Sequence, residues 1–208
     1  MNNKNKKIII FDYDGVLLDS IPFVYLDMKL KYPSISDEDF KMIFNGNFWD
    51  GIDIIKKKYA RTTDSSNITK LPIHCFANFF DGVCEMIKIL SKDYILVINS
   101  SSFVNDIEKP LEREGLKECF DLILGKDQSI SKPEKFTYIQ NFYNADIRNM
   151  YFITDTTGDV NDTEGFELKT IGVTWGVHDK SDFTKLQSKN LIAIADTIEQ
   201  LKTIITET

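Results

Sequence analysis

The chain has 208 residues, of which 42% are hydrophobic, 12% aromatic and 27% charged. This balance excludes a disordered polypeptide, and 10 Gly and 5 Pro are too few for a collagen-like or linker sequence. Lys+Arg 25 against Asp+Glu 32 leaves a formal charge of −7, which weighs against general binding to a nucleic-acid backbone.

In chain order, MNNKNKKIII has a basic flank, but its apolar run soon meets Asp12, so it does not read as a secretory signal. No segment approaches the roughly 18 uncharged apolar residues of a membrane span, so neither a membrane nor a nucleic acid is an expected partner, and a cytoplasmic location is expected. Ile8–Phe11 is a β-branched run that predicts a strand buried on both faces, ending at Asp12-Tyr13-Asp14-Gly15. Residues 21 to 80 then read as helical throughout. Ser36-Asp37-Glu38-Asp39 has the form of an N-cap with an acidic first turn, and Phe40, Ile43, Phe44, Ile52 and Ile55 recur at helical spacing. Eleven of the chain's 25 aromatics fall here, which predicts a small folded subdomain with one polar loop at Arg61–Asn67. Further apolar runs at Tyr94–Ile98, Leu122–Leu124, Tyr151–Ile153, Thr170–Val173 and Leu191–Ala195 predict strands. Helical patterns such as Val104–Glu114 and Phe136–Tyr143 lie between most of them. The expected fold is α/β: a Rossmann-like parallel sheet with helices on both faces and an inserted all-helical subdomain. Cys75, Cys84 and Cys119 form no CxxC, and with two histidines they read as reduced packing residues, not a zinc site.

In open α/β sheets, ligands bind outside the carboxyl ends of the strands. There the predicted strands deliver Asp12 and Asp14, two residues apart; Asn99-Ser100-Ser101; Ser131-Lys132-Pro133; and Thr154-Asp155 with Asp159. Four acids, a hydroxyl and a lysine are expected in one crevice. Clustered carboxylates repel and call for a cation, and hard oxygen ligands suit Mg²⁺ together with a substrate phosphate. An ionised carboxylate is also able to form an aspartyl-phosphate, with a neighbouring acid as proton donor and acceptor.

Each residue has a plainer reading. The DG pair is a common turn former, although two acids directly after a buried strand favour chemistry. Ser100 alone has the form of a helix N-cap, and no GxSxG surrounds it. Asp159, Asn161 and Asp162 suit the start of a helix. Lys56-Lys57-Lys58 reads as a solvated helix face, and the sequence shows no partner for His74 or His178.

DYDGVLLDS (Asp12–Ser20) resembles the first motif of the haloacid dehalogenase-like superfamily of phosphohydrolases. FFDGVCEMIKILSKDYILVINSSS, EREGLKECFDLILG, SKPEKFTYI, FITDTTGDVND and KTIGVTWG resemble its later segments in the right order, across almost the whole chain. The resemblance implies a core of residues 1–18 and 82–208, a helical cap at 19–81, and Mg²⁺ as cofactor. By that resemblance Asp12 is the nucleophile and Asp14 the acid/base, its main-chain carbonyl also binding the metal. Ser100, fifteen residues before Gly115, would hold the phosphoryl group, Lys132 would contact phosphate, and Asp155 and Asp159 would complete the metal site with Asp12. Ser101, Asn45 and Trp49 are expected to reach substrate, the last two from a glycine-containing break in the cap. Three departures stand out: Asp81 where proline is usual, Thr154 for a customary glycine, and Asn99 at a strand position where an apolar residue is common. The implied activity is phosphatase action on a small phosphorylated metabolite, in the phosphoglycolate phosphatase and β-phosphoglucomutase branch. A mutase with the same chemistry and a non-catalytic protein of the same fold are the alternatives. Dehalogenase-type branches fit less well because they lack the acid represented here by Asp14.

Overall fold

The computed structural model describes residues 6–59 and 71–207. Its centre is β1 (Ile8–Phe11), whose four side chains are all buried. After β1 come α1 (Ile21–Lys31), α2 (Asp37–Met42), α3 (Phe48–Tyr59) and α4 (Ile73–Phe76), followed by α5 (Val83–Leu90). The remainder alternates: β2 (Ile95–Asn99), α6 (Val104–Arg113), β3 (Leu122–Leu124), α7 (Lys132–Tyr143), β4 (Met150–Thr154), α8 (Thr157–Asp162), β5 (Lys169–Val173), α9 (Lys180–Thr184), β6 (Leu191–Ala195) and α10 (Ile198–Glu207). The strands pair in parallel in the order β3-β2-β1-β4-β5-β6. This is the α/β Rossmann-like sheet expected from the sequence.

Alternation along β1 divides the core. Ile9 and Phe11 join Leu96, Ile98 and Ile153 on the face covered by α5, α6 and α10. Ile8 and Ile10 join Val97, Phe152 and Phe136 of α7 on the other. A strand between two strands and two helical layers must be apolar on both faces, which is why its sequence shows no alternation.

Two strands run further than hydropathy indicated. Asn99 pairs with Leu124 and Thr154 with Gly172, so β2 and β4 each end on a polar residue. Register with the neighbouring strand set those ends. Helix α7 starts at Lys132, well before the apolar periodicity begins at Phe136. The Ser131 hydroxyl accepts from the Glu134 amide (3.3 Å), and Pro133 suits a first turn, where no amide donor is required.

The segment between β1 and α5 holds its own core of Met28, Ile35, Phe40, Ile43, Phe44 and Ile55. The Ser36 hydroxyl caps α2 by accepting from the Asp39 amide (3.1 Å). Lys58 ion-pairs with Asp39 at 2.7 Å, whereas a solvated face was expected. The loop expected at Arg61–Asn67 lies outside the described residues. Cys84 and Cys119 pack against the core as expected, but Cys75 is exposed on α4.

This helical segment is seated on the carboxyl end of the sheet. The Gly158 amide of α8 donates to the Phe44 carbonyl (3.1 Å). A Cβ on Gly158 would lie 2.6 Å from the Phe44 carbonyl oxygen and from both main-chain N and O of Gly46. Lys41 pairs with Asp182 of α9 across the same junction. Gly158→Ala therefore pushes Phe44–Gly46 off α8 even though alanine favours helix more than glycine does. Hydrogen exchange will show faster exchange at the main-chain amide of position 158 in this variant, with protection unchanged at Ile98 and Ile153 in the sheet.

Candidate active site

Asp12 and Asp14 leave β1 at its carboxyl end, in the middle of the sheet. The Asp12 amide continues the ladder to the Ile153 carbonyl (2.9 Å), and Gly15 turns the chain with φ +77°. Asp12 Oδ1 accepts from the Tyr13 amide (2.7 Å), and Oδ2 faces Lys132 Nζ at 2.8 Å. The same ammonium lies 2.6 Å from Asp159 Oδ2, which also accepts from the Thr154 hydroxyl at 2.6 Å. Lys132, in the first turn of α7, thus bridges the ends of β1 and α8 while almost fully buried.

Asp155, at the end of β4, is completely buried. Its Oδ2 accepts from the Val177 amide (2.8 Å), while Oδ1 has no partner among the described residues. Gly15 and Gly176 make room for this carboxylate, since a Cβ at either would fall 2.2 Å from Oδ2. Ser100 follows β2, its hydroxyl accepting from the Ser102 amide (3.0 Å). Ser101 lines the cavity beside it.

Burial raises the Asp12 carboxyl well above the usual carboxylate range despite the opposing pull of Lys132. Burial likewise pushes Asp155 up to about 7, with Asp159 adding repulsion. Asp159 goes the other way, because Lys132 and Thr154 together outweigh its desolvation. Lys132 is held more basic than free lysine: burial alone would lower it, but the charges of Asp12 and Asp159 prevail.

The sequence showed no partner for His74, yet its Nε2 is 3.0 Å from Asp14 Oδ1. That oxygen also accepts from the Ser20 hydroxyl (2.6 Å), and Asp14 Oδ2 accepts from the Ser102 hydroxyl (2.6 Å). Burial opposes ionisation of Asp14, but His74 and the two hydroxyls keep its carboxyl below the usual range. Ser102 was also missed as a contact of Asp14. Only the Ser-rich run after β2 hinted at it, and no sequence signal tied His74 to a carboxylate sixty residues earlier.

A cavity of about 870 Å³ extends from Asp12, Ser100, Lys132 and Asp155 up to Phe48 and Trp49. Trp49 borders it, its ring 3.5 Å from Lys126 Nζ beyond β3. Asn45 does not border it. Its Oδ1 lies 3.1 Å from His178 Nε2 and 3.4 Å from the Thr157 hydroxyl, so it fastens the helical segment to the sheet. His178, for which the sequence showed no partner, is the other half of that contact and accepts from the Thr157 amide at Nδ1 (3.2 Å). Asp159 does not cap α8; Thr156 does, its hydroxyl accepting from the Asp159 amide (3.3 Å).

Ser100, Lys132 and the four acids Asp12, Asp14, Asp155 and Asp159 all line this one cavity. Lys132 stands between two of them and Asp14 is turned to His74, so among the described residues no three acidic, histidine or cysteine groups make a finished metal cage. The donor chemistry nevertheless fits a hard divalent cation. Asp12, Asp155 and Asp159 supply only oxygens, and Asp155 Oδ1 is buried and unpartnered.

A profile of the haloacid dehalogenase-like hydrolases matches residues 9–173. Phosphoglycolate phosphatase of Synechococcus elongatus is 24% identical over 187 residues, covering 83% of this chain and 85% of its own length. Pyrophosphatase PpaX of Listeria monocytogenes is 30% identical over 112 residues, about half of each chain (52% of both). A haloacid dehalogenase-like protein of unknown function from Agrobacterium tumefaciens has the same fold, with a TM-score of 0.75, 20% identity, and coverage of 98% of this chain and 99% of its own. With its motifs arrayed at the carboxyl ends of β1, β2 and β4 and before α7, the chain belongs to the haloacid dehalogenase-like hydrolases.

Proposed function

We propose that this hydrolase is a Mg²⁺-dependent phosphatase that releases phosphate from a small phosphorylated metabolite through a phosphoryl-aspartate on Asp12. The observation that carries the reading is the buried Lys132 ammonium between Asp12 and Asp159, beside the Ser100 end of β2. An incoming phosphoryl group needs a carboxylate to attack it and positive charge for its oxygens, and these side chains provide both. Asp12, Asp155, Asp159 and the Asp14 main-chain carbonyl are the oxygens to hold Mg²⁺, which would supply further charge against the phosphoryl oxygens.

In the first step an Asp12 carboxylate oxygen bonds to phosphorus as the ester P–O bond breaks. The electron pair leaves with the ester oxygen, which takes a proton from Asp14. The arriving phosphoryl group places negative charge beside Asp14, raises its proton affinity and readies it as the acid. Water then attacks phosphorus and gives its proton to Asp14, returning Asp12 and freeing inorganic phosphate. Ser20, Ser102 and His74 fix the Asp14 carboxylate for both transfers.

Residues 19–81 act as a cap over a core of residues 1–18 and 82–208. His74 joins that cap to the acid/base, and Trp49 and Ser101 face the substrate space. The Synechococcus relative makes phosphoglycolate the first substrate to assay, beside sugar phosphates, nucleotides and pyrophosphate. No helix among the described residues is long and apolar enough to cross a membrane.

Two measurements test this reading. Asp12→Asn keeps the shape of the side chain but lacks the attacking oxygen, and phosphate release across the panel will fall by at least about a thousandfold. Near-native turnover in that variant defeats the mechanism. Separately, Mg²⁺ will raise the thermal midpoint of the native protein, and Asp155→Asn will remove most of that rise. An equal rise in both would take Asp155 out of the metal site.

A further inference from the structure

Ser100 and Lys132, the two groups read here as holding the phosphoryl oxygens, belong to different elements. One follows β2 and the other opens α7, so their separation depends on how strand and helix are joined. Two polar side chains with no part in the proposed chemistry cross that junction in opposite directions. Asn99 Nδ2 donates to the Lys132 carbonyl (3.3 Å), and Lys135 Nζ donates to the Ser100 carbonyl (2.6 Å). Each bond leaves the residue beside, or one turn beyond, the one the other bond reaches. Both side chains are buried, Asn99 at 0% and Lys135 at 2% exposure.

The rest of Ser100 is held as firmly. Its amide donates to the Leu124 carbonyl (2.9 Å), and its hydroxyl oxygen accepts from the Ser102 amide (3.0 Å). With Lys135 on its carbonyl, the hydroxyl hydrogen is the one polar group of Ser100 left uncommitted among the described residues, available to a phosphoryl oxygen.

Simple packing does not account for this arrangement. Asn99 Oδ1 is buried without a partner among the described residues, and such an atom loses its hydration with nothing in return. Burial and the neighbouring charge of Lys132 pull the Lys135 ammonium down to about 8, against the attraction of Asp12, Asp159 and Asp127. A leucine and a methionine would fill the same space without either penalty.

We propose that Asn99 and Lys135 are positioning residues that set the distance between the Ser100 hydroxyl and the Lys132 ammonium, and so the width of the phosphoryl pocket. The inference rests on the phosphatase reading of that pocket.

The test compares the full-length native protein with Asn99→Leu, Lys135→Met and the double variant. p-Nitrophenyl phosphate with Mg²⁺ serves as substrate, inorganic phosphate as ligand, and thermal midpoints are measured alongside. Each single variant is expected to lose on the order of ten- to a hundredfold in kcat/KM, the scale of a small misplacement of reacting groups. Its midpoint at pH 7 should stay well above the assay temperature, because relief of the buried amide oxygen or ammonium offsets the carbonyl left without its donor. Because the two bonds brace one junction, the double variant should lose far less than the product of the single losses. Binding of inorganic phosphate should weaken in parallel.

The two possible failures are distinct. Native protein that hydrolyses nothing in the substrate panel defeats the phosphatase reading, and phosphate binding then still tests the brace. Variants with native kcat/KM and native phosphate affinity, or with losses that merely follow a falling midpoint, overturn the brace. Should Lys135→Met fail to fold, Asn99→Leu decides alone. A pH series gives a further check on Lys135. Between about 8 and its ordinary 10.5 the unfolded chain holds the proton that the folded chain has released, so native stability rises with pH across that window. Lys135→Met should lack that rise; an unchanged rise contradicts a buried, charge-penalised lysine.

Discussion

Almost everything at this site depends on one buried ammonium. Lys132 touches Asp12 and Asp159 at once, and without it those buried carboxylates and Asp155 would face one another with no positive charge between them. Removing one partner of a buried ion pair leaves an uncompensated charge, which costs far more than the pair contributes. Asp12 and Asp159 accordingly respond in opposite directions. Asp159 has the lysine and a hydroxyl on one oxygen and stays acidic, whereas burial prevails at Asp12. A site that leaves part of its own negative charge unbalanced is suited to taking up a cation with the phosphoryl group.

Sheet order is what brings these charges together. Because β1 lies between β2 and β4, the ends of three adjacent strands present Asp12, Ser100 and Asp155 side by side, and α7 enters beside β2 with Lys132 in its first turn. The chain runs outward from β1 to β2 and β3 and then returns to β4 on the other side of β1, so the crevice lies where a doubly wound sheet opens. Glycine permits the closeness. At Gly15 and Gly176 a single methyl group would collide with the Asp155 carboxylate.

The helical segment does more than cover this crevice. Its docking is polar: Asn45 on His178, the Phe44 carbonyl on the Gly158 amide, and Lys41 on Asp182. His178, Phe44 and Gly158 are buried, so breaking either of the first two contacts would leave polar groups without partners, and they fix where the segment sits. His74 extends the same segment to Asp14, so the seating of the helices and the orientation of the proposed acid/base are coupled through one imidazole.

The amino-acid sequence by itself determined the central buried strand, the alternation of strands and helices, the acidic ends of β1 and β4, and the serine and lysine that accompany them. These signals are local: a β-branched run stopping at Asp12, a Ser-Lys-Pro helix start, and acids two or four residues apart. Strand ends at Asn99 and Thr154 were decided by pairing with Leu124 and Gly172, which hydropathy does not record. Only tertiary structure decided that Lys132 stands between two of the acids, that Asn45 faces His178 and not the cavity, and that His74 reaches Asp14. Each of those is a meeting of side chains far apart in sequence, the first governed by sheet order and the other two by how the helical segment sits on the sheet. A single histidine, asparagine or lysine carries no periodicity by which such a meeting could be read in advance.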